Sequence, residues 1–279
     1  MSEVGPGHGP SAPGAPAAPR ALVTGASGGL GAEMARDLAR RGSSLILTAR
    51  SREPMEALAR ELAGARGVSV RVLPEDLSVA GAANRLADRI ESEGLEVDLL
   101  VNNAGFGQWG PWLELDAREE TGMIRLNVEA LTSLTRRFAP AMVARGRGRI
   151  LNVASTAAFV PGPGMSVYYA TKAYVLSFSE ALAEELRGTG VTVTCLCPGP
   201  TPTGFQARLG ASASGRTGVA EVAPDRVARA GIDGALHGRR LVIPGLVNRV
   251  TPLLPRFLPR RWVPKLVAWV QADRSPAGP

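Results

Sequence analysis

Short apolar runs alternate with longer amphipathic segments between residues 20 and 245, and this alternation limits the possible folds more than any other feature of the chain. The apolar runs have the length and composition of strands, whereas the segments between them repeat their apolar residues at helical spacing. Strands that are joined through helices pair in parallel, and the helices then cover both faces of the sheet. We therefore predict one α/β domain built on a doubly wound parallel sheet with helices on both faces.

The pattern predicts seven strands in this domain. They cover residues 20–24, 44–49, 68–73, 97–101, 150–153, 191–197 and 240–243. The predicted helices include residues 34–39, 53–63, 80–93, 114–145, 168–186 and 224–236. In a sheet of this kind ligands bind at the carboxyl ends of the strands, so the residues that follow each strand are the candidates for a site.

The first strand leads into the glycine-rich turn TGASGGLG, residues 24–31, and a helix follows the turn. Glycines let backbone amides approach a phosphate group, and the N-terminus of the helix adds positive potential. The spacing differs from the GxGxxG pattern of the better-known dinucleotide-binding turn. The arrangement of strand, turn and helix fits a Rossmann-type sheet, but a glycine-rich turn alone is weak evidence for nucleotide binding.

Arg50 comes directly after the second strand, near the place where dinucleotide-binding folds hold the ribose 2′-hydroxyl with an acidic residue. Here that place has Ala49 and then Arg50, with Arg52 close by. A guanidinium group suits a 2′-phosphate, which favours NADP over NAD. The alternative is that Arg50 is a solvated loop residue. We also expect Ser51 to cap the helix that follows.

Ser155, Tyr168 and Lys172 form the most informative set of polar residues in the chain. Ser155 follows the fifth strand, whereas Tyr168 and Lys172 share one face of a helix at positions i and i+4. An ammonium group one turn away favours the phenolate and lowers the pKa of the tyrosine. With Ser155 as a second hydrogen-bond donor, the set suits hydride transfer to a carbonyl or from an alcohol. Alone, such a pair is usually an amphipathic helix edge, and the serine a helix cap.

Other motifs follow the remaining strands. Residues 76–77, Asp-Leu, come after the third strand, residues 102–105 after the fourth, and residues 198–203 after the sixth. The aromatic loop 106–112 either forms a pocket wall or packs against the next helix. The small, glycine-rich segment 204–219 is either a mobile lid or a linker.

Composition narrows the possible partners. The net charge is +7, but no Lys/Arg-rich segment with interleaved aromatic residues predicts a nucleic-acid partner. Cys195 and Cys197 share one face of a strand, which does not favour a disulfide between them, and the sequence has no other cysteine. Free thiols indicate a reducing, cytoplasmic setting. His8 and His237 stand far apart, so no metal site is predicted. The N-terminus shows no signal-peptide pattern, and no apolar stretch is long enough to span a bilayer.

Both ends of the chain differ from the domain between them. Residues 1–19 are mostly Pro, Gly and Ala, and we predict a disordered tail. Residues 246–279 form an extension in which residues 246–271 interleave apolar and basic side chains, and four prolines exclude one long helix. Three placements remain open for it: over the substrate site or a subunit interface, on an anionic membrane surface, or along the edge of the protein's own core.

Together the motifs resemble those of the short-chain dehydrogenase/reductase family in its compact single-domain form. They occur in the family's order and at its spacings, across roughly residues 20–245. They are TGASGGLG (24–31), NNAG (102–105), Asn127, Ser155, YYATK (168–172) and PGPTPT (198–203). Many members of the family end shortly after the last strand, so the extension is a departure from the pattern.

The resemblance implies catalytic roles for four residues. Tyr168 would be the general acid in reduction and the general base in oxidation, and Ser155 would orient the substrate oxygen. Lys172 would hold the nicotinamide ribose and depress the pKa of Tyr168. Asn127 would anchor a water molecule that relays protons to Lys172.

The resemblance also implies a cofactor site. The glycine turn and Ser27 would cradle the pyrophosphate, residues 76–77 would flank the adenine, residues 103–105 would line the adenosine ribose, and Pro198 with Thr203 or Thr201 would contact the nicotinamide. The implied cofactor-binding residues are Gly25, Ser27, Gly29, Leu30, Gly31, Arg50, Asp76, Leu77, Asn103, Ala104, Gly105, Tyr168, Lys172, Pro198, Gly199, Thr201 and Thr203.

We therefore expect an NADP(H)-dependent oxidoreductase that interconverts a carbonyl and an alcohol, in the reductive direction. A non-catalytic NADP-binding sensor or scaffold is the alternative, although it would not need Tyr168. The resemblance implies a homodimer or homotetramer, and peripheral membrane contact through residues 246–271 remains open. The predicted pocket wall is apolar, which indicates an apolar ketone or 3-oxoacyl substrate. It comprises Phe106, Trp109, Phe159, Val160 and Phe205.

Overall fold

Seven parallel strands form one sheet in the order β3-β2-β1-β4-β5-β6-β7. The computed structural model describes residues 19–64, 68–205, 221–250 and 258–271. The predicted α/β fold with a doubly wound parallel sheet is confirmed. The strands are β1 (Arg20–Thr24), β2 (Ser44–Thr48), β3 (Val70–Val72), β4 (Leu99–Asn102), β5 (Gly148–Val153), β6 (Val191–Leu196) and β7 (Leu241–Val242).

Helices cover both faces of the sheet. Successive residues of β1 serve different cores, because side chains alternate along a strand. Val23 packs with the helices 29–40, 52–63 and 224–236 on one face, and Leu22 packs with the helices 82–92 and 131–144 on the other. The helices are α1 (Gly29–Arg40), α2 (Arg52–Ala63), α3 (Ala82–Ser92), α4 (Ala117–Ile124), α5 (Leu131–Ala144), α6 (Ser166–Glu185), α7 (Pro224–Leu236), α8 (Leu246–Val250) and α9 (Val263–Gln271).

The helix predicted over residues 114–145 differs from the observed one at its start and in its middle. It begins at Ala117, because the carboxylate of Asp116 accepts a hydrogen bond from the Arg118 amide at 2.7 Å and caps the first turn. Residues 125–130 between α4 and α5 form a π-helical stretch. Such stretches occur frequently at functional sites, and the apolar pattern of the sequence does not reveal them.

Ser51 precedes α2, as predicted, but its side chain makes no capping hydrogen bond. The predicted cap is therefore wrong. The residue instead lines the large cavity at the carboxyl ends of the strands.

A buried network of polar side chains ties α6 to the centre of the sheet. Asn102 of β4 donates to Asn152 of β5 at 2.9 Å, and Asn152 donates to Ser179 of α6 at 2.9 Å. Buried amides need such partners, since an unpaired one costs free energy. The network therefore holds α6, which carries Tyr168 and Lys172, in a defined position over the sheet.

Several predictions concern residues outside the described ranges. They are the disordered tail up to residue 18, residues 206–219 of the segment predicted as a lid or linker, and residues 251–257 and 272–279 of the extension. Among the described helices, none is long and apolar enough to cross a membrane.

Candidate active site

A cavity of about 490 Å³ opens at the carboxyl ends of the central strands. Cofactor and small-molecule sites have volumes in this range. Residues that follow six of the seven strands line it, because parallel pairing brings those strand ends to one edge. The predicted cofactor-binding residues in its lining are Gly25, Ser27, Gly29, Leu30, Arg50, Asp76, Leu77, Asn103, Ala104, Gly105, Tyr168, Lys172, Pro198, Gly199, Thr201 and Thr203.

The glycine turn after β1 has the geometry of an anion cradle. Gly25 and Gly29 adopt φ angles of +68° and +53°, which other residues rarely tolerate. Helix α1 begins with no side-chain cap and no acidic residue in its first turn, so its terminal amides and its positive end are available to a ligand. These features fit the pyrophosphate of a dinucleotide.

Gly31, a predicted cradle residue, does not line the cavity. A Cβ atom at this position would collide with the carbonyl oxygen of Gly25 and with the Asn103 amide nitrogen. Gly31 therefore allows α1 to pack closely against the ends of β1 and β4, and it shapes the cradle from behind.

Thr24 was not among the predicted site residues, yet it organises the part of the cavity where β1 and β4 end. Its hydroxyl accepts hydrogen bonds from the backbone amides of Asn103 and Ala104, both at 2.9 Å. The Asn103 side chain in turn donates to the Thr24 carbonyl at 2.9 Å. The side-chain amide of Asn103 therefore hydrogen-bonds the start of the glycine turn. Asn103 forms part of the cavity wall and also links the carboxyl ends of β1 and β4.

Arg50 lies exposed at the edge of the cavity. No carboxylate within the described ranges pairs with it, whereas Arg52 pairs with Glu56 at 3.2 Å. The two neighbouring arginines therefore differ: only Arg50 combines a place in the cavity lining with an uncompensated charge.

Ser155, Tyr168 and Lys172 come together on one side of the cavity, as their spacing predicts. The Ser155 hydroxyl oxygen accepts a hydrogen bond from the Ala157 amide at 3.1 Å, which fixes the side chain at the end of β5. Lys172 donates to the Val153 carbonyl at 2.9 Å, and its Nζ atom lies 5.8 Å from the centre of the Tyr168 ring. Ser155 is thus both a cap of the short 3₁₀ turn 156–159 and a neighbour of the tyrosine.

Burial dominates the ionisation of both helix residues. It raises the pKa of Tyr168 well above its ordinary value of about 10, and a hydrogen bond from Ser155 lowers it only in part. Within the chain itself, the predicted lowering of this pKa by Lys172 is therefore not found. Burial also lowers the pKa of Lys172 to about 8. Tyr168 holds its proton at neutral pH, and Lys172 is easier to deprotonate than an exposed lysine.

Asn127 lies behind the cavity, in the π-helical stretch. Its amide nitrogen donates to the Phe106 carbonyl at 3.0 Å and to the Thr171 hydroxyl at 3.1 Å, and its side-chain oxygen accepts from the Phe106 amide at 3.2 Å. A Cβ atom on Gly105 would lie 2.9 Å from that oxygen and 3.3 Å from Nζ of Lys172. Since a carbonyl oxygen can accept two hydrogen bonds, one acceptor position of Asn127 remains for a further donor near Lys172.

The predicted apolar wall is correct in part. Phe106 and Phe205 line the cavity, and the Phe205 ring centre lies 5.4 Å from that of Tyr168. Trp109 packs against the Phe106 cluster outside the lining, Phe159 joins a separate cluster with α6, and Val160 does not line the cavity. The 3₁₀ turn after Ser155 directs residues 159 and 160 away, which a strand-and-helix pattern does not show.

The large side chains of the wall that were not predicted include Leu126, Met165 and Tyr169. Tyr169 is rightly excluded as the acid–base residue, but its ring packs edge-on against Tyr168 with centres 6.1 Å apart. Its hydroxyl accepts a hydrogen bond from the Gln271 amide of α9. The local sequence does not predict this contact, because the two residues meet only when the C-terminal segment folds back.

Cys195 and Cys197 lie beneath the catalytic set. Both are buried and form no disulfide, and their sulfur atoms lie 3.8 Å apart. A hydrogen bond with Cys195 and burial raise the pKa of Cys197 well above its usual range, so this thiol stays neutral. The part of the chain that the structure describes contains no cluster of three or more His, Cys, Asp or Glu that could hold a metal ion.

The parallel sheet, the anion cradle at its edge and the adjacent Ser–Tyr–Lys set define a dinucleotide-dependent oxidoreductase. Residues 19–214 match the family model described as short chain dehydrogenase. The chain belongs to the short-chain dehydrogenase/reductase family.

Individual relatives support this assignment. The chain is 35% identical over 184 residues to a very-long-chain 3-oxoacyl-CoA reductase from Anas platyrhynchos, a match that covers 64% of this chain and 58% of the relative. A short-chain dehydrogenase from Sphingobium yanoikuyae, solved in complex with NADPH, is 33% identical with a TM-score of 0.76, over 87% of this chain and 97% of that one. A bulky-bulky ketone specific alcohol dehydrogenase from Comamonas testosteroni is 29% identical with a TM-score of 0.72, over 87% and 95%.

Substituting alanine for Gly31 tests the close packing behind the cradle. In a helix, Gly→Ala is stabilising by up to about 1 kcal/mol. Here we expect the opposite sign, a loss of about 1–3 kcal/mol, because the new methyl group collides with buried backbone. Thermal denaturation without added ligand measures the change. Gly28→Ala is the matched control, since its Cβ would meet nothing within 4 Å. Equal melting temperatures for both variants would contradict the packing.

The lowered pKa of Lys172 predicts a pH dependence of stability. Lys172 loses its proton near pH 8 in the folded protein and near pH 10.4 when unfolded. Between these values the unfolded chain binds more protons, so the folded state gains stability as the pH rises, by roughly 3 kcal/mol in all. Below pH 8 the cost of the buried ammonium is fully present.

Denaturant unfolding of the wild type and of Lys172→Met from pH 7 to about pH 10.4 isolates this effect, because other titrating groups cancel in the difference. We expect the wild type to gain relative to the variant as the pH rises. Parallel curves would mean that Lys172 has an ordinary pKa.

Proposed function

We propose that this protein is an NADP(H)-dependent oxidoreductase that reduces the carbonyl group of an apolar substrate to an alcohol. The observation that carries the proposal is the placement of the buried Tyr168, which lies beside Ser155 in the same cavity as the anion cradle. The cradle end holds the cofactor, and the tyrosine end receives the carbonyl.

The choice of NADPH as the cofactor favours the reductive direction in this proposal. Bound NADPH supplies the hydride to the carbonyl carbon. The chain supplies the proton: Tyr168 is protonated at neutral pH and donates to the oxygen on which charge develops. Ser155 is the second donor to that oxygen and afterwards stabilises the phenolate.

Lys172 and Asn127 help to return a proton to Tyr168 after it has donated one to the substrate. With a pKa of about 8, Lys172 can both hold and release a proton near neutral pH. In this proposal a water molecule on the remaining acceptor position of the Asn127 side chain links Lys172 to further donors. Lys172 also binds the nicotinamide ribose, and its positive charge opposes the effect of burial on the phenolate.

Arg50 selects the cofactor in this proposal. Its guanidinium has no carboxylate partner within the described part of the chain, and it lies at the cavity edge next to Ser51. A 2′-phosphate would supply the missing negative charge. The NADPH bound to the Sphingobium yanoikuyae relative is consistent with this choice.

The substrate is an apolar ketone or a 3-oxoacyl thioester. The cavity wall beside Tyr168 consists of Phe106, Met165, Tyr169 and Phe205, which offer mostly apolar surface. The relatives that are named for a bulky ketone and for very-long-chain 3-oxoacyl-CoA fall in the same two classes.

We further propose a homodimer or homotetramer in a reducing, cytoplasmic setting. The free thiols of Cys195 and Cys197 support the redox setting. Membership of the short-chain dehydrogenase/reductase family supports the oligomer, because its members are commonly oligomeric.

Removing the Tyr168 hydroxyl tests the reaction. We expect Tyr168→Phe to lose roughly 100- to 10,000-fold in kcat for NADPH-dependent reduction of ketones or 3-oxoacyl thioesters, because the proton donor is gone. Cofactor affinity, measured by fluorescence titration, should persist. Tyr174→Phe is the matched control, since Tyr174 lies on the same helix outside the cavity lining and its hydroxyl shares a hydrogen bond with the Thr132 hydroxyl. NADPH binding with no turnover in any variant or in the wild type would favour a sensor or scaffold.

Exchanging Arg50 tests the cofactor preference separately. Loss of a charge-assisted contact with the 2′-phosphate should weaken NADPH binding by roughly 10- to 100-fold and leave NADH nearly unchanged. Binding titrations of Arg50→Gln with both cofactors measure the ratio. Arg52→Gln is the matched control, because that arginine pairs with Glu56. An equal loss for the two cofactors would remove Arg50 from the 2′-phosphate site.

A further inference from the structure

Helix α9 has two opposite faces with different surroundings. Val263 and Gln271 are buried and Val267 and Val270 are half-buried, which places them on one helical stripe against the protein. The hydroxyl of Tyr169 accepts a hydrogen bond from Gln271, so this inner stripe touches the wall of the active-site cavity. The inner face is thus accounted for by contacts within the chain.

The outer face of α9 is apolar and exposed. Trp262, Leu266 and Trp269 recur at helical spacing, and they are 56%, 42% and 57% exposed. The Leu266 amide donates to the Trp262 carbonyl at 3.0 Å, so Trp262 is in phase with the helix although it precedes it. Two tryptophans and a leucine on one exposed stripe form a surface that water does not favour.

Positive charge surrounds this stripe. Arg260, Arg261 and Lys265 are exposed beside it. No acidic residue occurs in the sequence from 234 to 272. Elsewhere the surface arginines commonly pair with carboxylates, as Arg137 does with Asp88 and Glu91. Among the described residues, no carboxylate pairs with these three cations. The outer face of α9 therefore combines apolar bulk with positive charge, which fits an anionic partner that also accepts apolar side chains.

The short helix α8 repeats this composition. Leu246, Val247 and Val250 are all more than half exposed, and Arg249 is the charged residue among them. Two separate helices of the C-terminal region thus present apolar and basic side chains together.

We propose that the outer face of α9, with residues 258–262, docks on the surface of an anionic phospholipid bilayer. Tryptophan rings are favoured at the boundary between headgroups and acyl chains, where their apolar bodies are buried and their N–H groups stay wet. The cations meet the anionic headgroups, and the long side chains of Lys265 and the arginines reach them without leaving the helix. The helix lies along the membrane surface and does not cross it.

A second copy of the chain fits this face less well. A two-fold contact between equal surfaces would bring Arg260, Arg261 and Lys265 of both copies together, with no carboxylate among them to offset the repulsion. The bilayer proposal goes beyond the proposed reaction and does not depend on it. Docking would place lipid next to a helix whose inner face contacts the cavity wall through Tyr169.

Vesicle binding by the full-length protein tests the proposal. Vesicles of phosphatidylcholine alone are compared with vesicles that also contain phosphatidylglycerol, by co-sedimentation and by the shift of tryptophan fluorescence to shorter wavelength. We expect the protein to sediment with the anionic vesicles, with partition at least roughly tenfold weaker on neutral vesicles and at high salt. Wild-type protein that stays in the supernatant with anionic vesicles would overturn the proposal.

Three variants locate the contact. The apolar variant is Trp262→Gln/Leu266→Gln/Trp269→Gln, and the charge variant is Arg260→Gln/Arg261→Gln/Lys265→Gln. The matched control is Arg226→Gln/Arg229→Gln/Arg239→Gln, which removes three exposed cations of the α7 region.

We expect both α9 variants to lose at least roughly tenfold in partition to anionic vesicles, while the control binds like the wild type. Circular dichroism and melting curves check that each variant is folded, and the charge variant keeps the test valid if the apolar variant is not. Equal losses in the control, or full binding by the folded apolar variant, would reject docking through α9. A lower oligomer mass in the apolar variant, without any vesicle binding by the wild type, would identify a second copy as the partner instead.

Discussion

Parallel pairing of the strands is the constraint on which the rest of the structure depends. The register that aligns β1 with β2 and β4, and β4 with β5, sets the carboxyl ends of these strands along one edge. Each of these strands is followed by a motif at that edge. The glycine turn and Ser155 therefore meet there, although they lie more than a hundred residues apart in the chain. The Thr24 hydroxyl then joins two of these ends by accepting the Asn103 and Ala104 amides. The site is therefore a direct product of sheet topology, and no single segment contains it.

Burial shifts the pKa values of two residues at this edge of the sheet, Lys172 and Tyr168. Lys172 is a buried cation whose ammonium donates to the Val153 carbonyl, and burial brings its pKa down to about 8. The same burial raises the pKa of Tyr168. A protonated tyrosine and a lysine that releases its proton easily suit a site that must deliver a proton and then recover it. The hydrogen bonds that join Asn102, Asn152 and Ser179 hold the helix that carries both residues. The same buried contacts therefore stabilise the core and position the site.

The C-terminal region links this site to the protein surface. Gln271 donates to Tyr169, whose ring packs against Tyr168, and the opposite face of the same helix exposes Trp262, Leu266 and Trp269. Of the three placements that the sequence left open, contact with the wall of the active-site cavity is therefore present for α9. This inner contact does not exclude a second contact on the outer face, because opposite faces of a helix can pack against different partners.

The sequence by itself determined the fold, the order of the motifs and the edge of the sheet at which they meet. It could do so because hydrophobic periodicity and the position of a motif after its strand are local properties. The tertiary structure alone decided that Gly31 packs inward, that Asn127 lies in a π-helical stretch, that Phe159 leaves the cavity wall, and that Tyr169 meets Gln271. It also showed that within the chain itself burial raises the pKa of Tyr168. Each of these depends on burial or on contacts between distant segments, and the spacing of residues along a chain carries no direct record of either.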